Sequence, residues 1–373
     1  MMNGASTKLE KAVRLMNQKG LNGLIIYSKG VSNMLSPSYL QYFAEFRPMG
    51  PRNAAVVTKS GEAVLLVDPP WDSFRASSKT WIKDVRGGSD FVKDLIGLLR
   101  QLKLSSPVGV VASREMTFEV HSAIKKAVEI QKGDDILEEI AKVKTERELE
   151  LIRKVARIAD AGADAFIRGV RVGVREYELV AELEYVMRSQ GADDIFILMS
   201  SGEHNSEMHE PTDRRLREGD VIIGEISPGC EGQFMQLCRT VYLGRPSPAL
   251  HEKYDILLKA LDASLTAMKT GASASLITTS MNQVLTEAGY GKYCGPPYMR
   301  SRGHGFGVGS IAPGAELTDK MQNCLERHQV VAVHPNQYIP ETGYLACGET
   351  VLVTDTGVER LSKTETKLYV KER

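Results

Sequence analysis

Residues 224–240 read Gly224-Glu225-Ile226-Ser227-Pro228-Gly229-Cys230-Glu231-Gly232-Gln233-Phe234-Met235-Gln236-Leu237-Cys238-Arg239-Thr240, two apolar runs parted by a Gly-containing turn. The pattern predicts strands over about 220–227 and 233–242. Along such a strand Phe234, Gln236 and Cys238 share one face. Three further pieces carry chemistry-bearing side chains in similar surroundings. They are Arg302-Gly303-His304-Gly305-Phe306-Gly307, Val331-Ala332-Val333-His334-Pro335, and Gly348-Glu349-Thr350-Val351-Leu352-Val353-Thr354. The last two predict strands near 330–335 and 350–354, and one more is expected at 195–200. Thr145-Glu146-Arg147-Glu148 reads as a capping box opening an amphipathic helix that runs to about Arg168. Helical stretches follow at 176–190, 251–269 and 273–288. Grouped helices beside grouped strands give an α+β domain, with helices over one face of a curved antiparallel sheet.

Upstream the pattern differs. An apolar stripe at Leu9, Val13 and Leu15-Met16 predicts a helix that Gly20-Leu21-Asn22-Gly23 stops. Strand-like runs at 24–27, 54–57, 63–67 and 108–111 interleave with helical ones, so residues 1–133 form an α/β domain. The polar stretch Gln131-Lys132-Gly133-Asp134-Asp135 is the expected linker, and residues 134–373 make the second domain.

At 373 residues the chain is long enough for two cores. Lys+Arg and Asp+Glu both total 47, so no net charge draws the chain to nucleic acid or to an anionic membrane. No apolar run approaches the roughly 20 residues that span a bilayer. Five cysteines form no Cys-x-x-Cys pair, and Met1 to Lys11 lacks a secretory layout; both point to the cytoplasm.

The four pieces, with His209 ahead of Pro211-Thr212, resemble the creatinase/prolidase/methionine-aminopeptidase family. The resemblance implies a pita-bread C-terminal domain preceded by a smaller creatinase-type N-terminal domain. In metal-dependent members the matching positions carry Asp, Asp, His, Glu and Glu. Here they read Glu225, Gln236, His304, His334 and Gly348, and a second family histidine is Ile311. Two divalent ions bring four positive charges into a poorly solvated pocket, which hard-ion sites answer with carboxylates. One carboxylate remains, and Glu225 reaches about 1.5 Å further than Asp would. Glu349 is adjacent to the vacated position, but alternation turns it to the other side.

The expectation drawn from this is a metal-independent hydrolase without a cofactor, closest in character to creatinase-like enzymes. It would cleave a C–N bond in a small amino-acid-like, guanidino or cyclic-amidine substrate. His209 would exchange the proton, since imidazole titrates near neutrality. Glu225, His304 and His334 complete the expected catalytic set. Gln236, Cys238, Glu349 and Arg302 are expected to line the substrate site, with Arg47 or Arg52 taking a substrate carboxylate in a fork. In creatinase-like dimers such an arginine reaches the neighbouring subunit, which implies a homodimer.

Other readings stand beside these. His304 and His334 with Gln236 or Glu225 could form a two-histidine, one-oxygen site for a single ion, as in a mononuclear Xaa-Pro peptidase-like enzyme or a lyase. The scaffold could also be a non-catalytic binding protein. Cys238 is a nucleophile candidate or a core filler. Arg239 reads as a tie between the sheet and a neighbouring carboxylate. Gly303, Gly305, Gly307 and Gly309 lack a phosphate-loop context, and backbone room around His304 explains them.

Overall fold

A computed structural model describes residues 4–30, 32–36, 38–299, 301–309 and 316–372. Ile311 lies outside the described residues. The chain divides into two compact units, Met1–Ala141 and Lys142–Arg373.

The first unit holds helices α1 (Gly4–Gln18), α2 (Tyr39–Ala44), α3 (Asp72–Lys79), α4 (Phe91–Gln101) and α5 (Phe118–Ala127). Its strands are β1 (Gly23–Ser28), β2 (Asn53–Thr58), β3 (Ala63–Val67), β4 (Asp84–Gly87), β5 (Val108–Val111) and β6 (Ile130–Lys132). They form one mixed sheet in the order β4-β3-β2-β1-β5-β6. β2 is antiparallel to both neighbours, whereas β5 runs parallel to β1 and β6. The stretch expected as a linker, 131–135, instead closes the sheet as β6 and opens helix α6 (Asp134–Lys142). The first unit ends in the last turn of that helix.

In the second unit, α7 (Glu146–Gly169) begins at the expected capping box, where Thr145 accepts from the Glu148 amide and the Glu148 carboxylate accepts from the Thr145 amide. α8 (Glu176–Ser189), α9 (Pro248–Ala267) and α10 (Ser275–Glu287) follow the predicted stretches within a few residues. One sheet contains β7 (Asp194–Gly202), β8 (Val221–Cys230), β9 (Gln233–Phe234), β10 (Leu237–Leu243) and, last in the chain, β17 (Leu368–Lys371). A second is ordered β11 (Gly303–Phe306), β12 (Val330–Val333), β15 (Glu349–Val353), β16 (Val358–Arg360). The hairpin β13 (Gln337–Ile339) and β14 (Gly343–Leu345) lies between β12 and β15 in the chain. All ladders are antiparallel except β10 with β17. The second unit is thus α+β and the smaller first unit α/β, the classes that the resemblance implies.

Period-two alternation along β8 sorts its side chains between two cores. Ile222 and Ile226 pack with Phe166 of α7 and Leu183 of α8. Val221 and Ile223 turn the opposite way, to Leu257 of α9, Met281 of α10, and Val331 and Val351 of the second sheet. Glu225 falls on that second face, opposite Cys238 in the β8–β10 register.

The run expected as one strand over 233–242 is broken at Met235 and Gln236. The backbone explains the break. Gln236 N–H donates to Thr350 Oγ1 at 3.1 Å, and the same hydroxyl donates back to Gln236 C=O at 2.8 Å. One residue of β10's approach is therefore bonded to the other sheet rather than to its own ladder. Cys238 and Gly348 continue the seam with reciprocal backbone bonds of 3.3 and 3.2 Å. Arg239, wholly buried, then donates to Gly348 C=O at 2.8 Å, Glu349 Oε1 at 2.8 Å and Thr364 C=O at 2.6 Å.

Two stability outcomes follow from these contacts. Glu349→Gln leaves the Arg239 guanidinium buried without its counter-charge and should cost about 3–5 kcal/mol in urea unfolding. Thr145→Ala removes one half of the capping box and should cost about 1 kcal/mol. Near-equal losses would show that the Arg239–Glu349 pair is not what holds the seam.

Candidate functional site

Four side chains converge where the seam opens. Gln236, freed from its ladder, reaches Glu225 of β8 with Nε2 to Oε1 at 2.5 Å. Its Oε1 lies 3.1 Å from Nε2 of His304 on β11. The His304 Nδ1 lies 3.2 Å from Gly305 C=O, and the ring stands 5.7 Å from that of His334, just past β12. His334 is fixed through its backbone, since its N–H donates to Arg302 C=O at 3.0 Å. Gly303 permits this approach of β11 to β12: at φ +154° a Cβ there would sit 2.1 Å from Ala332 C=O.

The electrostatics have one cause. Burial raises the Glu225 carboxyl to about 7. Burial lowers His304 to about 4, against a smaller raising effect from the Gly305 carbonyl. It lowers His334 to about 3, helped by the neighbouring His304 and Arg302. All three side chains nonetheless keep partial solvent contact. Groups that water reaches from one side while protein surrounds the rest line a recess. At neutral pH both imidazoles are uncharged there.

The other expected residues are placed as follows. His209 is half-buried; its backbone pairs with Met199 at 2.8 and 2.9 Å, and its Nδ1 lies 2.7 Å from Glu210 C=O. Among the described residues no hydrogen bond links it to Glu225, Gln236, His304 or His334. Arg302, expected as an anion binder, is committed elsewhere: it donates to Asn282 Oδ1 at 2.8 Å, Asn336 C=O at 2.5 Å and Gln337 Oε1 at 2.8 Å. Glu349 is also withdrawn from the recess, because its carboxylate accepts from Arg239 and from the Thr366 hydroxyl. Burial pushes the Cys238 thiol well above its ordinary value, so it is a neutral thiol in the core rather than a thiolate nucleophile. In the first unit Arg52 Nε pairs with Asp68 Oδ2 at 2.9 Å, and the half-buried Arg47 has its carbonyl bonded by Arg75 at 2.9 Å.

Tyr344 of β14 joins this group although no sequence motif points to it. Its part-buried phenol is raised by burial and by the charge of Glu225, with Asn336 and Arg302 also in range. Only the β13–β14 hairpin brings it there, and a tyrosine in a loop-rich stretch carries no signal of that kind.

The fold and this recess at the meeting of two sheets define a pita-bread enzyme scaffold. The model of the Creatinase/Prolidase N-terminal domain matches residues 8–143. That of metallopeptidase family M24 matches residues 150–355, and the chain belongs to that family. An Xaa-Pro dipeptidase of Pyrococcus furiosus is 27% identical over 365 residues, covering 97% of this chain and 99% of the relative. One from Pyrococcus horikoshii is 25% identical, with 97% and 98% covered. The structure of an Xaa-Pro dipeptidase from Bacillus anthracis superimposes with a TM-score of 0.85 at 25% identity, over 98% of this chain and all of the other.

These findings overturn the expectation of a metal-independent, creatinase-like hydrolase. Relatives matched end to end carry the name Xaa-Pro dipeptidase, and the family is one of metallopeptidases. The error had a physical root: a missing donor speaks to what a position can hold, and not to the bond or substrate on which a scaffold acts.

The residues do not, however, fit the pair of ions that the resemblance implies for metal-dependent members. Among the described residues no three His, Cys, Asp or Glu side chains converge as a metal-holding group. Nor is the vacated position an open cradle. A Cβ on Gly348 would meet the Cβ atoms of His334 and Cys238 at 3.1 and 3.3 Å, tighter than ordinary contact.

The shifted groups give stability a definite pH dependence. Glu225 takes up its proton at higher pH in the folded state, near 7, than in the unfolded state, near 4.5. Its contribution is therefore complete below about 4.5 and is lost as pH rises through 7. For the neutral-held His304 and His334 the loss runs the other way, as pH falls from 6.5 toward 4 and 3. Glu225→Gln should remove the alkaline-side loss, worth up to about 3 kcal/mol by pH 8. Denaturant midpoints at pH 5 and 8 check this, and an unchanged difference between wild type and variant would refute it.

Proposed function

We propose that this chain is an Xaa-Pro peptidase-like hydrolase that takes a short peptide into the recess formed by Glu225, Gln236, His304, His334 and Tyr344 and acts on its C–N bond. The observation that carries the reading is the end-to-end match to relatives named Xaa-Pro dipeptidases. The recess suits an amide ligand. The neutral imidazoles and the phenol offer hydrogen bonds without charge, and Glu225 can hold or release a proton close to neutrality.

A second reading is favoured by Gln236, His334 and Gly348 at positions where the resemblance implies carboxylates. On that reading the scaffold binds such a peptide without cleaving it. One experiment separates the two. Purified protein is incubated with Gly-Pro, Ala-Pro and Met-Pro, with and without added Mn²⁺, Co²⁺ or Zn²⁺, while released proline is assayed and peptide binding is followed by calorimetry. The hydrolase reading expects released proline, reduced at least about tenfold in Glu225→Gln. Saturable binding with no proline released under any ion would establish the second reading.

A further inference from the structure

Cys230 ends β8, and its sulfur lies 3.2 Å from Nζ of Lys154, on α7. Two nucleophiles thus stand in contact outside the recess. Among the described residues Cys230 is the one cysteine whose sulfur meets an amine. Cys238 and Cys347 are enclosed in the core beside α9 and α10, and Cys324 is exposed. Cys294 Sγ faces the Tyr290 carbonyl at 3.6 Å and Gln337 Oε1 at 3.8 Å. Lys154 is half-buried with its amine toward solvent, so a small polar oxidant that reaches the amine is already beside the sulfur. The hydrogen bond to Cys230, with Asp193 and Glu231 nearby, favours the ammonium form of Lys154. Burial raises the Cys230 thiol, and the contact with Lys154 opposes that rise.

We propose that Lys154 and Cys230 form a redox-sensitive covalent tie, closed by hydrogen peroxide and reopened by a thiol reductant. In the first step the Cys230 thiolate attacks one peroxide oxygen and the O–O bond breaks. The Lys154 ammonium gives a proton to the departing hydroxide. The products are a sulfenic acid on Cys230, water and a neutral Lys154 amine. Sulfur is oxidised by two electrons and the peroxide is reduced by two. In the second step the amine nitrogen attacks the sulfenic sulfur. An S–N bond forms, the S–O bond breaks, and the hydroxyl leaves with one N–H proton as water. The product is a sulfenamide, the condensation that sulfenic acids undergo with a neighbouring nitrogen. Two thiol molecules return it to thiol and amine and leave as their own disulfide.

The lysine serves both steps because of where it stands. As an ammonium its N–H is directed at the sulfur, and once that proton has gone its lone pair faces the same atom. Closing the bond moves the nitrogen by about 1.5 Å, within the freedom of a four-carbon stem. An arginine at this position would supply the positive charge alone, since a guanidinium keeps its protons and has no lone pair to offer. The tie joins α7 to the end of β8, two elements that already share the core around Phe166 and Ile226. By closing the chain between Lys154 and Cys230 it removes conformational freedom from the unfolded state. It does not depend on the proposed peptide hydrolysis, and its test reads no turnover.

The test treats the reduced, folded whole chain with hydrogen peroxide, blocks remaining thiols with iodoacetamide, and maps the digest by mass spectrometry. The expected result is a linked pair of peptides carrying Lys154 and Cys230, lighter than their sum by two hydrogen atoms. Dithiothreitol added before blocking should abolish it. The treated chain should also unfold at a higher urea concentration than the untreated one, and dithiothreitol should reverse that shift. In Lys154→Arg the tie should be missing while dimedone still traps a sulfenic acid on Cys230. Recovery of Cys230 as a blocked thiol under peroxide that oxidises the exposed Cys324 would overturn the proposal. So would sulfinic or sulfonic acid on Cys230 beside an unmodified Lys154. The wild-type peptide map decides the matter even if the variant does not fold.

Discussion

The seam between the two sheets of the second unit is held by one buried ion pair, Arg239 of β10 with Glu349 of β15. A guanidinium taken out of water demands a carboxylate and a full set of acceptors. The terminal nitrogens of Arg239 find partners in Glu349 and in the carbonyls of Gly348 and Thr364, while its Nε is left without an acceptor among the described residues. The consequences spread along the chain in both directions. Cys238 and Gly348 are bridged through their backbones, and Gln236 is pulled out of its strand to Thr350. That displacement frees the Gln236 side chain to meet Glu225 from one sheet and His304 from the other. A recess with polar walls exists there because the backbone on both sides has spent its hydrogen bonds across the seam.

Desolvation sets the chemistry of that recess. The same loss of water raises a carboxyl and lowers two imidazoles, so at neutrality both histidines are uncharged and Glu225 is poised between its neutral and ionised forms. A pocket of this kind recognises amides and neutral hydrogen-bonding groups better than a cation. The crowding at Gly348 and the absence of a converging donor set among the described residues agree with that character.

Much of the fold was legible. Apolar periodicity located α7 through α10, and the Thr145–Glu148 box is present at the start of α7. The break at Met235 and Gln236 was not legible, because alternation rules describe a strand whose hydrogen bonds go to its neighbours. The domain boundary misled for a similar reason: polar residues at 131–135 looked like a linker, yet sheet pairing and a following helix consumed them. Arg302 and Glu349 looked available as single letters, and their side-chain partners arrive from other segments of the chain or from across the seam.

By itself the sequence determined the elements, the two-domain order, the family resemblance and which ionisable residues could meet. These depend on local periodicity, capping and side-chain type. Only the tertiary structure decided which of them face the recess and which are buried in ion pairs, and it alone set their protonation. Burial and partner choice are properties of residues distant in the chain, and no local pattern records how much water each will lose.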